Sequence, residues 1–209
     1  GGNDIIDGSN GVDTLSYSTS NSSIIANLNT GVATEFASSG MNASTVYNIE
    51  NVTGGSAIDY LTGNSLNNTL TGNGGDDTLD GAAGNDYLYG GDGSDILIGG
   101  GDVDNLYGGA ESDTLTGGGG NDIFHIDSGD GFDIITDPEA GDSIQFSSGA
   151  LSGTASKLGN DIFQLGGYNL RQQGTDLVIT KNASAYGSQS ATGVTIQNFF
   201  TSGYDPKLS

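Results

Sequence analysis

A large apolar residue recurs every nine positions through the middle of this chain: Leu61, Leu70, Leu79, Leu88, Leu97, Leu106, Leu115 and Phe124. Ile6 and Leu15 repeat the spacing near the start. Polar or small residues flank each one, so the pattern predicts short strands with the middle side chain inward and its neighbours outward. Between them lie glycine-rich turns, and Gly54, Gly63, Gly72, Gly81, Gly90, Gly99, Gly108 and Gly117 keep the same nine-residue period. Nine residues make a half-turn and eighteen a full coil. The expected fold is all-β: a parallel β-roll, a β-solenoid with two sheets around a thin aliphatic core.

Elsewhere the period changes. Residues 24–34, IIANLNTGVAT, read as strand–turn–strand, and Ile49 and Val52 lead back into the repeats. This stretch either loops out or extends the sheet as a hairpin; continuity is the favoured reading. Residues 161–181 and 193–200 alternate as strands after the repeats end. The expected organisation is partial repeats over 1–16, an interruption continuing the solenoid over 17–53, the dense roll over 54–125 and a capping β region over 126–209. Phe199 and Phe200 are candidates for the plug that covers the last coil.

Charge sharpens this picture. Two residues before each apolar position stands Asp4, Asp13, Asp59, Asn68, Asp77, Asp86, Asp95, Asp104, Asp113 or Asp122, and the formal charge of the 209 residues is −22. Only four residues are Lys or Arg, which excludes a basic patch for nucleic acid or anionic lipid. Without cysteine there is no disulfide, thiolate metal site or cysteine nucleophile. No apolar run approaches the roughly 20 residues of a membrane span, so no membrane insertion is expected. No amino-terminal signal peptide is read, and the opening in mid-repeat reads as a piece of a longer chain, expected to be monomeric.

Residues eighteen apart share an edge, so Asp77, Asp95 and Asp113 line one side and Asp86, Asp104 and Asp122 the other. Adjacent carboxylates about 4 Å apart repel by ~4 kcal/mol at an effective dielectric near 20. A hard dication between them reverses the sign, and an all-oxygen donor set suits calcium better than zinc. The candidate ligands are Asp4, Asp13, Asp59, Asp77, Asp86, Asp95, Asp104, Asp113, Asp122 and Asp133. Loop backbone at Gly72, Gly75, Gly81, Gly84, Gly90, Gly93, Gly99, Gly108, Gly117 and Gly120 completes the set, for several Ca2+ ions. Sites pairing Asp59 with Asp77, or Asn68 with Asp86, are expected to be weak or vacant. Asp102 and Glu111, where other repeats have glycine, either add a ligand or distort the loop. Asp127, Asp130, Asp133, Asp137 and Asp142 either hold one or two further ions or are solvated turn residues.

Gly90–Ile98, GGDGSDILI, and Gly117–His125, GGGGNDIFH, fit every fixed position of G-G-x-G-x-D-x-U-x, where U is a large apolar residue. The chain therefore resembles the RTX (repeats-in-toxin) family. That resemblance implies a roll that folds on calcium, carried by large bacterial proteins exported by type I secretion machinery, hence secreted or on the cell surface. Residues 129–146 resemble the closing segment of such rolls.

Other chemistry fits poorly. An EF-hand starting at Asp127 fails because its twelfth position is Pro138. Nothing matches H-E-x-x-H or a catalytic triad, so this segment is expected not to be an enzyme. His125 is read as an outward surface residue. Tyr87, Tyr89 and Tyr107 are expected on one face, where aromatic rings stack on sugars. The alternative reading is therefore a polysaccharide-binding accessory module of a secreted enzyme; the leading one is the calcium roll of a large adhesin or toxin, with a glycan or host-surface ligand for the whole protein.

Overall fold

The computed structural model describes residues 4–38, 40–126, 131–139 and 141–146, together with the backbone of five later strands between 156 and 196. Every element in it is a strand. The first repeats form β1 (Ile5–Asp7) and β2 (Thr14–Ser16). The interruption forms β3 (Ile24–Asn27), β4 (Val32–Ala37), β5 (Gly40–Tyr47) and β6 (Asn51–Thr53). The dense repeats give β7 (Tyr60–Thr62), β8 (Thr69–Gly74), β9 (Thr78–Ala83), β10 (Tyr87–Asp92), β11 (Ile96–Gly101), β12 (Asn105–Ala110), β13 (Thr114–Gly119) and β14 (Ile123–Ile126). They are followed by β15 (Phe132–Ile135), β16 (Ser143–Phe146), β17 (Ser156–Gly159), β18 (Ile162–Leu165), β19 (Tyr168–Gln173), β20 (Asp176–Lys181) and β21 (Gly193–Ile196).

Alternate repeats feed alternate sheets. One sheet runs β16-β14-β12-β10-β8-β6-β2, all parallel. In the other, β3, β7, β9, β11, β13 and β15 are parallel neighbours. Register follows the eighteen-residue spacing: Leu70, Leu88, Leu106 and Phe124 are successive partners in the first sheet. Leu61, Leu79, Leu97 and Leu115 are successive partners in the second. These eight side chains are at most 1% exposed and form the core, one per half-turn.

The interruption extends the second sheet. Its strands β3, β4 and β5 form an antiparallel meander, and β1 pairs with β5 in parallel at the outer edge. Residues 24–34 thus form the expected hairpin, and Val52 stands in line with Leu15 and Leu70. At the opposite end, β17 to β21 form an antiparallel meander joined to β15 through β21. Phe199 and Phe200, read as the plug, lie outside the described residues.

One difference from the sequence reading matters for the site. From β8 to β13 the strands are six residues long and run on through the repeat glycine instead of stopping before it. In β10 the inward positions are Leu88 and Gly90, and Gly91 is paired in register with Gly109. A strand interior tolerates glycine poorly unless something must approach its backbone closely. Here an aspartate side chain does.

Candidate metal centre

Each repeat aspartate immediately precedes its strand, as Asp95 does β11, and folds back beneath the end of the strand before it. Asp95 Oδ1 accepts the backbone N–H of Asp77 at 2.7 Å, while its own N–H donates to Asp113 Oδ1 at 2.8 Å. The same edge extends to Asp59, whose N–H donates to Asp77 Oδ1, and to Asp133 Oδ1, which accepts the N–H of Asp113 at 3.1 Å. On the opposite edge the N–H groups of Asn68, Asp86, Asp104 and Asp122 donate to Oδ1 of Asp86, Asp104, Asp122 and Asp142. The carboxylates are therefore coil-to-coil clamps, spaced by the ladder itself.

The second oxygens are different. Oδ2 of Asp77, Asp86, Asp95, Asp104 and Asp122 is buried with no hydrogen-bond partner. Each points at the glycine five residues earlier. A Cβ built on Gly90 would collide with Asp95 Oδ2 and with the Gly108 carbonyl of the next coil; Gly72, Gly81 and Gly99 repeat this arrangement with their own aspartates and the next glycine carbonyl. A Cβ on Gly108 or Gly117 would likewise collide with the carboxylate of Asp113 or Asp122. Two acceptors thus open on one gap with no donor between them. A buried carboxylate oxygen left without a partner costs ~1–3 kcal/mol or more, and a cation removes that cost.

Protonation answers the same need in the absence of metal. Burial pushes the carboxyls of Asp77, Asp86 and Asp104 up to about 7, and that of Asp95 to about 6, against the backbone hydrogen bonds each accepts. Neighbouring carboxylates add to the rise. The unfolded value is about 3.9, so the calcium-free fold binds more protons than the unfolded chain between about pH 4 and 7. The stability from these groups is fully present below about pH 4 and is lost as pH rises through their folded values. In chelator, strand content followed by circular dichroism should fall as pH is raised from 4 to 8. A rise over that window would contradict the geometry.

The residues fit a hard dication. All available donors are oxygens, as calcium and magnesium require. Among the described residues no three His, Cys, Asp or Glu side chains converge on one point, so a bound ion draws on loop carbonyls as well as carboxylates. The loops are turned for this: φ is positive at Gly75 (108°), Gly84 (108°), Gly93 (129°) and Gly120 (147°).

The remaining candidates are placed unequally. Asp13 Oδ2 is buried without a partner, like the main column. Asp133 is buried in line with Asp113, whereas Asp4 is exposed beside β1. Asp59 and Asn68 have their side-chain oxygens satisfied by backbone N–H groups. Asp102 and Glu111 keep the loop shape with φ of 73° and 79° and are exposed, so they neither distort the loop nor enter the column. Their charges do raise Asp86, Asp104 and Asp95. Asp137 accepts the N–H groups of Gly117 and Gly118, and Asp142 those of Asp122 and Glu139. Asp127 and Asp130 lie outside the described residues.

The column has one member that spacing could not find. Asp13 donates its N–H to Glu50 Oε2 at 2.8 Å, as Asp77 does to Asp95. Glu50 precedes β6 just as Asp13 precedes β2, but a sequence separation of 37 hides the relation. On the outer face Tyr89 stacks on Tyr107 at 4.6 Å, and Tyr107 on His125 at 3.8 Å between ring centroids. The outward position of His125 is as expected; its place in the stack is not. Tyr87 and Tyr89 remain exposed on this face, at 44% and 36%.

The family described as RTX calcium-binding nonapeptide repeat (4 copies) matches residues 1–21, 53–88, 62–97, 71–104 and 98–135. This chain is an RTX repeat protein. The RTX matches include every loop with an unpartnered Asp Oδ2 and span the whole of the dense roll. No curated protein matches the chain. Among solved structures, extracellular lipase LipA from Serratia marcescens is similar at 20% identity over 94% of this chain, with a TM-score of 0.37. The RTX chain spans 32% of that lipase.

Proposed function

We propose that this RTX roll is a calcium-triggered folding device of a large bacterial protein exported by type I secretion, an adhesin or toxin. The observation that carries this reading is the row of buried, unpartnered aspartate oxygens facing glycine backbone. In a low-calcium cytosol that row disfavours the coils it runs through and keeps those repeats threadable. Outside, calcium at about 10⁻⁴–10⁻³ M, the range of extracellular modules, closes the coils and opposes backward movement through the channel. The segment performs no catalysis of its own; its parts bind metal and fold.

Limited proteolysis tests the switch. In chelator the residues from 71 to 126 should be digested, and in about 1 mM calcium they should survive within a resistant fragment. Equal resistance in both conditions would remove the basis for a secretion-coupled switch.

A further inference from the structure

Two loops of the nine-residue series are built differently from the others. In the loops ending at Asp77, Asp86, Asp95 and Asp122, the second residue has positive φ: Asn73 80°, Ala82 78°, Gly91 121° and Gly118 92°. The fourth residue of each is a glycine with positive φ. In the loops 54–59 and 63–68 neither position does so, and their fourth residues are Ala57 and Leu66. The second N–H then turns inward. Gly55 donates to Asp59 Oδ2 at 2.7 Å, and Asn64 donates to Asn68 Oδ1 at 2.8 Å.

Nothing is left for a metal to satisfy in these loops. Asp59 Oδ1 accepts the N–H of Ile24 at 2.7 Å, and Asn68 Nδ2 donates to the Glu50 carbonyl at 2.7 Å. The orphaned oxygen and the positive φ values disappear together. A Cβ in the left-handed region costs roughly 1–2 kcal/mol. Asp102 and Glu111 adopt that region inside the run, with glycine-turned loops stacked on both sides; Ala57 and Leu66 have such a neighbour only at Gly75 and Gly84.

Repulsion at these two loops is confined to the contact between Asp59 and Asp77. The column neighbour of Asp59 towards the amino terminus is Ile24, and Asn68 places a neutral amide between Glu50 and Asp86. The coils carrying these loops bury Ile24, Ala26, Ala33, Val46, Val52 and Leu61, and their antiparallel hairpins are local in sequence. Asn73 Nδ2 donates to the Gly54 carbonyl at 2.8 Å, laying the open loop 72–77 on the closed loop 54–59.

We infer that the loops 54–59 and 63–68 take no metal, and that residues 24–70 fold without calcium and serve as the template on which the calcium-dependent roll assembles. This rests on the reading of the open loops as calcium sites.

Amide hydrogen exchange on the whole chain separates the two claims. In chelator, the amides of Ile24, Gly55 and Asn64 should exchange at least an order of magnitude more slowly than those of Tyr87, Ile96 and Asn105. Calcium should then protect the second group and leave the first nearly unchanged. If both groups exchange fast in chelator and both gain protection with calcium, the template is overturned and the calcium reading stands. If calcium protects neither, both fall. The variant Leu66→Gly/Asn68→Asp opens the second loop and should make protection at Asn64 calcium-dependent. An unchanged exchange pattern in that variant would show that loop form is not the cause.

Discussion

Removing calcium is expected to abolish the strand signal of the dense roll beyond residue 70, and restoring about 1 mM calcium to recover it. The effect should be the largest of any single change of condition, because the unpartnered oxygens of Asp77, Asp86, Asp95, Asp104 and Asp122 lose their counterion together. An ion held at ten times its dissociation constant stabilises the fold by about 1.4 kcal/mol. Ions on successive coils share clamps such as Asp77 N–H to Asp95 Oδ1, so their contributions act on one cooperative unit. The midpoint should therefore depend steeply on calcium. Magnesium at the same concentration should restore much less, since it demands tight octahedral geometry and gives up its water reluctantly. Circular dichroism during calcium titration measures both, and a strand signal indifferent to chelator would sink the metal assignment.

Filling the gap should do locally what chelation does globally. Gly90→Ala places a methyl group where Asp95 Oδ2 and the Gly108 carbonyl already stand. The carbonyl belongs to β12, locked in register against β10, so the carboxylate must leave. Overpacking alone costs ~1–3 kcal/mol, and a displaced Asp95 weakens its metal site as well. Gly101→Ala is the matched control: it lies in the next strand, and its Cβ would meet nothing within 4 Å. That variant should be neutral or gain up to about 1 kcal/mol from the stiffer unfolded chain. Urea unfolding in calcium gives the stability difference, and calorimetry the number of bound ions. Wild-type ion number and stability in Gly90→Ala would contradict the cradle.

Much of this architecture follows from spacing. A period of nine with one large apolar residue per period admits few solutions, since only stacked half-turns bring Leu70, Leu88 and Leu106 into one inward row. The aspartate rows follow from the same arithmetic. So does the departure at Asn68, visible as a missing carboxylate, and the hairpin over residues 24–34, whose alternation is local.

The chain's order of residues determined the two-sheet roll, its inward rows and the alternation of acidic edges, because those depend only on repeat length and on which side chains avoid water. Tertiary structure decided which aspartate oxygens are satisfied, since that turns on loop φ angles and on N–H groups eighteen or more residues away. It decided that Glu50 joins the row of Asp13 across a sequence separation of 37, that the repeat glycines of β8 to β13 are strand and not turn, and that Tyr107 and His125 share ring faces. Each of these is a contact between coils, and a nine-residue motif carries no record of the coil stacked against it.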